Sequence, residues 1–418
     1  MLHLKRNGVS AMAYIHRDME SEITALSAEY ACILLTGPRQ VGKTTLLRQL
    51  SGPDRHYVTL DDLTERKLAR EDPALFLQLH RCPVLIDEVQ YAPELLSCIK
   101  IAIDSGAAPG AFWLTGSQLF RLMNLSQESL AGRMAVLHLS GLSQHEIYGS
   151  GPCTPFTPDL PVLQARQATH TPADLYGIYE RIWRGSLPGF VSGKYTNKNV
   201  FYSSYLQTYI ERDVSDQLQV SDPLLFHDFI RAAACRTGKM LNVHDIAQDV
   251  GVTDDTARHW LQVLERSDVI FFLRPYSNNL LKRTVKTPKL YFFDTGLAAY
   301  LTRYTAPEIL ADGALNGAIL ENYVVSEILK SWQNRAEDCL MWYYRDKSSN
   351  EIDIVLESGG VLHPMEIKRT ANPGSALLQP FQLLDRASLP RGSSAILCMR
   401  PELSAISREN YIVPIWMI

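Results

Sequence analysis

The stretch GPRQVGKT, residues 37–44, spaces two glycines, a lysine and a threonine as G-x-x-x-x-G-K-[ST]. Gly37 and Gly42 let the backbone curl until successive N–H groups converge on phosphate oxygens. A helix beginning here adds its partial positive charge at the same point. Lys43 then reaches the outer phosphates of a nucleotide, and Thr44 offers a hydroxyl to Mg²⁺. The expected nucleotide contacts are Gly37, Pro38, Arg39, Gln40, Val41, Gly42, Lys43, Thr44 and Thr45. PVLIDE, residues 83–88, supplies the other half of such a site. Asp87, ending an apolar run, puts a carboxylate near the magnesium, and Glu88 can polarise an attacking water. LTGS places Ser117 at the end of a third run, within reach of the γ-phosphate or its water. Arg133, in ESLAGRM, carries a planar guanidinium able to stabilise transition-state charge in a neighbouring subunit's site.

A second constellation lies late in the chain. EIDIVLESGGVLHPMEIKRT, residues 351–370, sets an acid-x-acid pair ahead of a Glu-x-Lys. Read as two strands joined by an ESGG turn, it puts Glu351, Asp353 and Val355 on one face and Ile352, Ile354 and Leu356 on the other. Asp353, Glu366 and Lys368 can then converge. Two carboxylates hold a hard cation such as Mg²⁺, while the lysine orients water and stabilises phosphate charge. Glu321, on the amphipathic helix GAILENYVVSEIL, can add a ligand from the side. The alternative is a solvated hairpin of alternating charge, and Glu-x-Lys alone does not separate the two.

The elements that must position these groups follow from patterning. ACILLTG, PVLIDE and AFWLTGS are short apolar runs with amphipathic stretches between them, the rhythm of a doubly wound parallel α/β domain. GSGPCTPFTPDLP, residues 149–161, reads as a loop or linker. The pattern is helical from about residue 173 to 240. Residues 243–267 then take a helix-turn-helix form: Ile246, Ala247 and Val250 precede a turn at Gly251, and Ala257, Trp260, Leu261 and Leu264 recur at helical spacing. Asp254 and Asp255 suit the first turn of the second helix, and they count against base reading by that end. Strand-like runs follow at 269–274 and 289–294. The segment between and around them carries Arg274, Lys282, Arg283, Lys286 and Lys289 without an acid, a wing able to track phosphates without reading sequence.

Bulk properties narrow the classes. The chain has 418 residues, 46% hydrophobic and 21% charged, with a formal net charge of −4. That length predicts two to four domains, and the charge excludes a uniformly basic nucleic-acid coat. The seven cysteines form no C-x-x-C pair, so neither a zinc site nor a disulfide framework is expected. No apolar run approaches a membrane span, and no secretory leader is legible, so a cytoplasmic protein without membrane attachment is expected.

YIHRDMESEI, LLTGPRQVGKTTLL, VLIDEVQYAPELLSCIK, LTGSQ, ESLAGRM and LENYVVSEIL occur in this order. Together they resemble a large prokaryotic family of AAA-type ATPases with a C-terminal domain of unknown function. The resemblance implies a winged-helix segment and a C-terminal domain similar to the PD-(D/E)xK nucleases, with Asp353, Glu366 and Lys368 at its key positions. It further implies Ser117 as the sensor residue and Arg133 as an arginine finger acting in trans, and hence a homo-oligomer. The expected organisation is an AAA-type P-loop domain with a parallel sheet (1–150), a linker and helical lid (151–220), a winged helix (221–300) and an α/β restriction-nuclease-like domain (301–418). The expected function is Mg²⁺-dependent ATP hydrolysis coupled to largely sequence-independent DNA binding. Two alternatives stay open: an ATP-regulated DNA endonuclease, and an NTPase switch acting on a protein partner.

Overall fold

Strand β1 (Cys32–Thr36) is buried throughout, and apolar but for Thr36, because both of its faces are covered. Ile33 and Leu35 pack with Leu46, Leu47 and Leu85 on one side; Cys32 and Leu34 pack with Phe76, Leu95 and Ile99 on the other. The computed structural model describes residues 14–116, 132–210, 223–278 and 287–418. In it β1 lies inside a five-stranded sheet with β2 (His56–Thr59), β3 (Val84–Asp87), β4 (Phe112–Thr115) and β5 (Met134–His138), in the order β2-β3-β4-β1-β5. Every pairing is parallel, so the strand C-termini that carry the chemistry share one edge. The doubly wound layer read from the sequence is present.

Of the segment 151–220, expected as linker and lid, the described part, 151–210, divides between two cores. Phe156, Leu163, Ile178, Tyr179 and Ile182 are buried with the C-terminal half, whereas Phe201, Tyr202, Tyr205 and Leu206 are buried with the P-loop domain. The next stretch holds two helices, Val243–Val250 and Asp254–Arg266, joined through Gly251 in the left-handed conformation (φ 79°). Thr253 caps the second helix by accepting from Thr256 N at 3.2 Å. Trp260 then meets Phe226 and Phe229 edge-on. These residues join Leu46, Leu47 and Leu139 in one cluster, so the middle module packs directly onto the P-loop domain. Strands β6 (Ile270–Leu273) and β7 (Lys289–Phe292) pair antiparallel behind it.

The C-terminal half builds a six-stranded mixed sheet from β8 (Leu340–Arg345), β9 (Glu351–Ser358), β10 (Val361–Lys368), β11 (Ser394–Cys398), β12 (Ser404–Ala405) and β13 (Asn410–Pro414), ordered β12-β13-β11-β10-β9-β8. The long helix Asn316–Gln333 shares a core with residues of this sheet. Two details differ from the sequence reading. The ESGG turn contracts to Gly359–Gly360, because both glycines take positive φ (58° and 76°) and permit a two-residue hairpin loop. Strict alternation along β9 also fails. Trp342 pairs with Val355 but Tyr344 pairs with Ile352, so β9 has one extra residue, a bulge, at Asp353–Ile354. Ile352 therefore joins Val355 in the cluster with Phe381 and Leu384, while Ile354 and Leu356 pack with the long helix.

The β6–β7 unit leans on this sheet. Tyr343 N donates to Arg274 O at 3.1 Å, and Tyr276 N donates to Tyr343 O at 2.6 Å. No helix among the described residues is long and apolar enough to cross a membrane.

Candidate functional site

The phosphate loop turns between β1 and the helix Lys43–Leu50. Gly37 has φ 132° and Gly42 has φ 95°, both unfavourable for other residues. Gly37 also has no room for a side chain: a Cβ there would stand 2.1 Å from the Leu139 carbonyl oxygen. Pro38 and Val41 are buried, Arg39 is half-buried, and Gln40 and Thr45 are exposed at the rim. Lys43 is 6% exposed, and its ammonium donates to the carbonyls of Gly37 (2.8 Å) and Pro38 (2.7 Å). Burial pushes the Lys43 pKa down to about 8, although Glu88, Asp268 and Asp87 oppose the fall.

Thr44 and Asp87 meet as expected, Oγ1 donating to Oδ1 at 2.6 Å. Two neighbouring hard oxygens at the edge of a phosphate loop suit Mg²⁺, which takes few protein ligands and keeps the rest for phosphate and water. Asp87 is also held by the Thr115 hydroxyl on Oδ1 and by Tyr57 OH on Oδ2 at 3.1 Å. Glu88 sits in the left-handed region (φ 60°, ψ 44°), its N–H donating to Thr115 Oγ1 at 3.1 Å and its carboxylate accepting from the Gln90 amide. A bulky residue kept in that conformation is a feature of functional sites. Ser117 lies outside the described residues. Arg133 is exposed and pairs with Asp104, Nε to Oδ1 at 2.6 Å.

Several residues here carried no legible signal. Thr115, at the end of β4, and Tyr57, within β2, orient Asp87; only the sheet order brings them together. Arg17 is buried and bonds three residues: Nε donates to Glu146 at 2.9 Å, and the other nitrogens donate to Val41 O and Ser140 O, both at 2.8 Å. Asp268 arrives from the turn before β6 and faces Lys43 electrostatically. A cavity of 570 Å³ opens beside the loop, lined in part by Tyr14, Val41, Thr45, Leu46, Pro188 and Tyr195, with a size and lining that suit a nucleobase.

The site is also wired to the C-terminal half. Leu139, which closes over Gly37, begins a segment that makes three polar contacts with the long helix. Ser140 Oγ donates to Gln333 Oε1 (2.7 Å), Leu142 O accepts from Lys330 Nζ (3.1 Å), and Gln144 N donates to Glu327 Oε2 (2.8 Å). Glu327 and Lys330 pair with each other at 2.6 Å, both almost fully buried.

At the other end of that helix lies the acidic cluster. Asp353, Glu366 and Lys368 converge: Lys368 Nζ is 2.6 Å from Glu366 Oε1 and 3.9 Å from Asp353 Oδ2, which also accepts from Ile367 N at 2.9 Å. Burial, then Asp353, pushes the Glu366 carboxyl up to about 7 against the pull of Lys368. Glu366 Oε2 is buried without a hydrogen-bond partner. Glu321 is committed elsewhere. Its Oε1 accepts from Lys289 Nζ at 2.8 Å and from Tyr291 OH at 2.6 Å. Lys289, expected on a phosphate-tracking wing, is 3% exposed inside this cluster. Lys282, Arg283 and Lys286 lie outside the described residues.

Comparison with known proteins agrees with the loop and sheet. Residues 29–148 match the AAA domain model, and the chain therefore carries an AAA-type P-loop ATPase domain. Residues 176–308 and 316–418 match two domains of unknown function, DUF8612 and DUF4143. Uncharacterized proteins of Mycobacterium tuberculosis and Mycobacterium bovis are each 28% identical over 385 residues, covering 90% of this chain and 79% of theirs. A solved Walker-type ATPase of Pyrococcus abyssi aligns at 15% identity over 68% of this chain and 94% of its own, with a TM-score of 0.42.

Proposed function

We propose that this protein is a Mg²⁺-dependent ATP hydrolase that relays the state of its nucleotide site to the C-terminal half. The observation that carries the relay is the run Leu139–Gln144, which touches Gly37 at one end and the long helix at the other. Lys43 binds the outer phosphates and must leave the carbonyls of Gly37 and Pro38 to do so. Thr44 and Asp87 would hold Mg²⁺, which when bound neutralises charge on the phosphates. Thr115 and Tyr57 keep the Asp87 carboxylate aimed, and Glu88 orients the attacking water.

DNA is the partner proposed for the relay, bound without sequence reading. The second helix of the two-helix unit supports this by exposing Arg258, His259, Gln262 and Arg266, while Asp254 and Asp255 at its start disfavour base contacts. One set of turnover assays tests both parts. Wild-type protein should hydrolyse ATP with Mg²⁺ and Lys43→Ala should lose at least about a hundredfold; retained turnover would sink the ATPase reading. Duplex or single-stranded DNA should raise the wild-type rate. If both leave rate and oligomer size unchanged, the partner is a protein and the DNA reading is dropped.

A further inference from the structure

The acidic cluster raises a question that ATP hydrolysis does not answer: what neutralises it. Four carboxylates, Glu321, Glu351, Asp353 and Glu366, meet three cations, Lys289, Lys368 and Arg345. Lys289 is central. Its ammonium lies 2.6 Å from Glu351 Oε1, 2.8 Å from Glu321 Oε1 and 4.0 Å from Asp353 Oδ1. The aromatic ring of Tyr343 stands 5.5 Å away on the β8 side. Burial works against the charge, yet Glu321, Asp353 and Glu351 hold the Lys289 pKa above the ordinary lysine range.

The position is built by the fold. Asn322 clamps β7 to the long helix, its Oδ1 accepting from Phe292 N at 2.8 Å and its Nδ2 donating to Phe292 O at 2.7 Å. Lys289 and Tyr291, two residues apart on β7, therefore both reach Glu321, the residue before Asn322. β7 is fixed further by its pairing with β6 and by a bridge from Lys289 to Met240.

We propose that Lys289 is the resident cation of the C-terminal cluster, standing where a nuclease-type site takes a divalent metal. Glu321 and Glu351 spend their charge on it. Asp353 lies between two ammonium groups, Lys289 on one side and Lys368 on the other. A dication entering beside Asp353 would meet both. The donors that resemble a metal set thus do not fit one while Lys289 is in place, and the cluster joins the middle module to the C-terminal sheet without a metal. This inference is independent of the ATPase reading.

The test is Mn²⁺ binding by the full-length chain, followed by electron paramagnetic resonance without nucleotide. It is run in an Asp87→Asn background so that the phosphate loop contributes no ion. The parent should show no site that Asp353→Asn removes. Lys289→Gln should gain about one bound Mn²⁺ per chain, and adding Asp353→Asn should abolish the gain. Mn²⁺ bound by the parent and released by Asp353→Asn would overturn the proposal, as would a folded Lys289→Gln that gains nothing. Should Lys289→Gln fail to fold, the parent against Asp353→Asn still decides.

Discussion

Lys43 must be charged where water does not reach, and that tension has a pH signature. Its pKa near 8 means that above this value the ammonium must be re-protonated before it can meet phosphate. ATP affinity, followed by fluorescent-nucleotide binding from pH 6.5 to 9.5, should be flat on the acid side. It should fall toward about tenfold per unit above pH 8. The effect on folding has the opposite sign. The cost of burying the charge is present below pH 8 and is relieved as pH rises toward the unfolded lysine value of about 10.4. The loop itself was legible because its chemistry is local: eight consecutive residues carry the curl, the charge and the hydroxyl. Thr115, Tyr57, Arg17 and Lys289 were not legible, because each owes its role to contacts between 24 and 129 residues away. Lys289 was misread for the same reason. A run of cations without acids looks solvated until the chain brings Glu321 and Glu351 against one of them.

At the scale of elements, the long helix Asn316–Gln333 is the common support of both candidate sites. One end meets the segment after β5 and the other meets the acidic cluster. Its amphipathic pattern announced a buried helix, but not that its polar residues would be buried too. Glu327 is 3% and Lys330 is 2% exposed. Lys330→Met should therefore cost about 3–5 kcal/mol in urea unfolding, since it strands a buried carboxylate. Adding Glu327→Gln should recover part of that loss, because a neutral amide oxygen still accepts from Gln144 N. Equal stability of wild type and Lys330→Met would show that the pair is not what joins these elements. The β9 bulge is the other element the pattern could not announce. Period-two alternation predicted Ile352 beside Ile354, and one inserted residue separates them.

At the scale of the whole molecule, Arg133 on the exposed turn before β5 is proposed to complete a neighbouring subunit's site. Mixing equal amounts of Arg133→Ala and Lys43→Ala chains tests it. A complete site needs an intact loop from one chain and an intact arginine from the other, so about one site in four should turn over whatever the ring size. No recovery from two inactive parents would exclude a shared site. The chain also visits its two large cores alternately: P-loop domain, then 156–182 in the C-terminal core, then 201–206 and 226–264 back on the P-loop domain, then the C-terminal sheet. Synthesis runs in one direction at a few to tens of residues per second. The face of the P-loop domain that receives Phe229, Trp260 and Leu264 must therefore wait, bare and apolar, while more than a hundred further residues leave the ribosome. Phe156 and Tyr179 wait longer still for the sheet that covers them. A nascent chain of this protein thus carries an uncovered apolar face through much of its translation, and truncation near residue 150 would leave that face permanently uncovered.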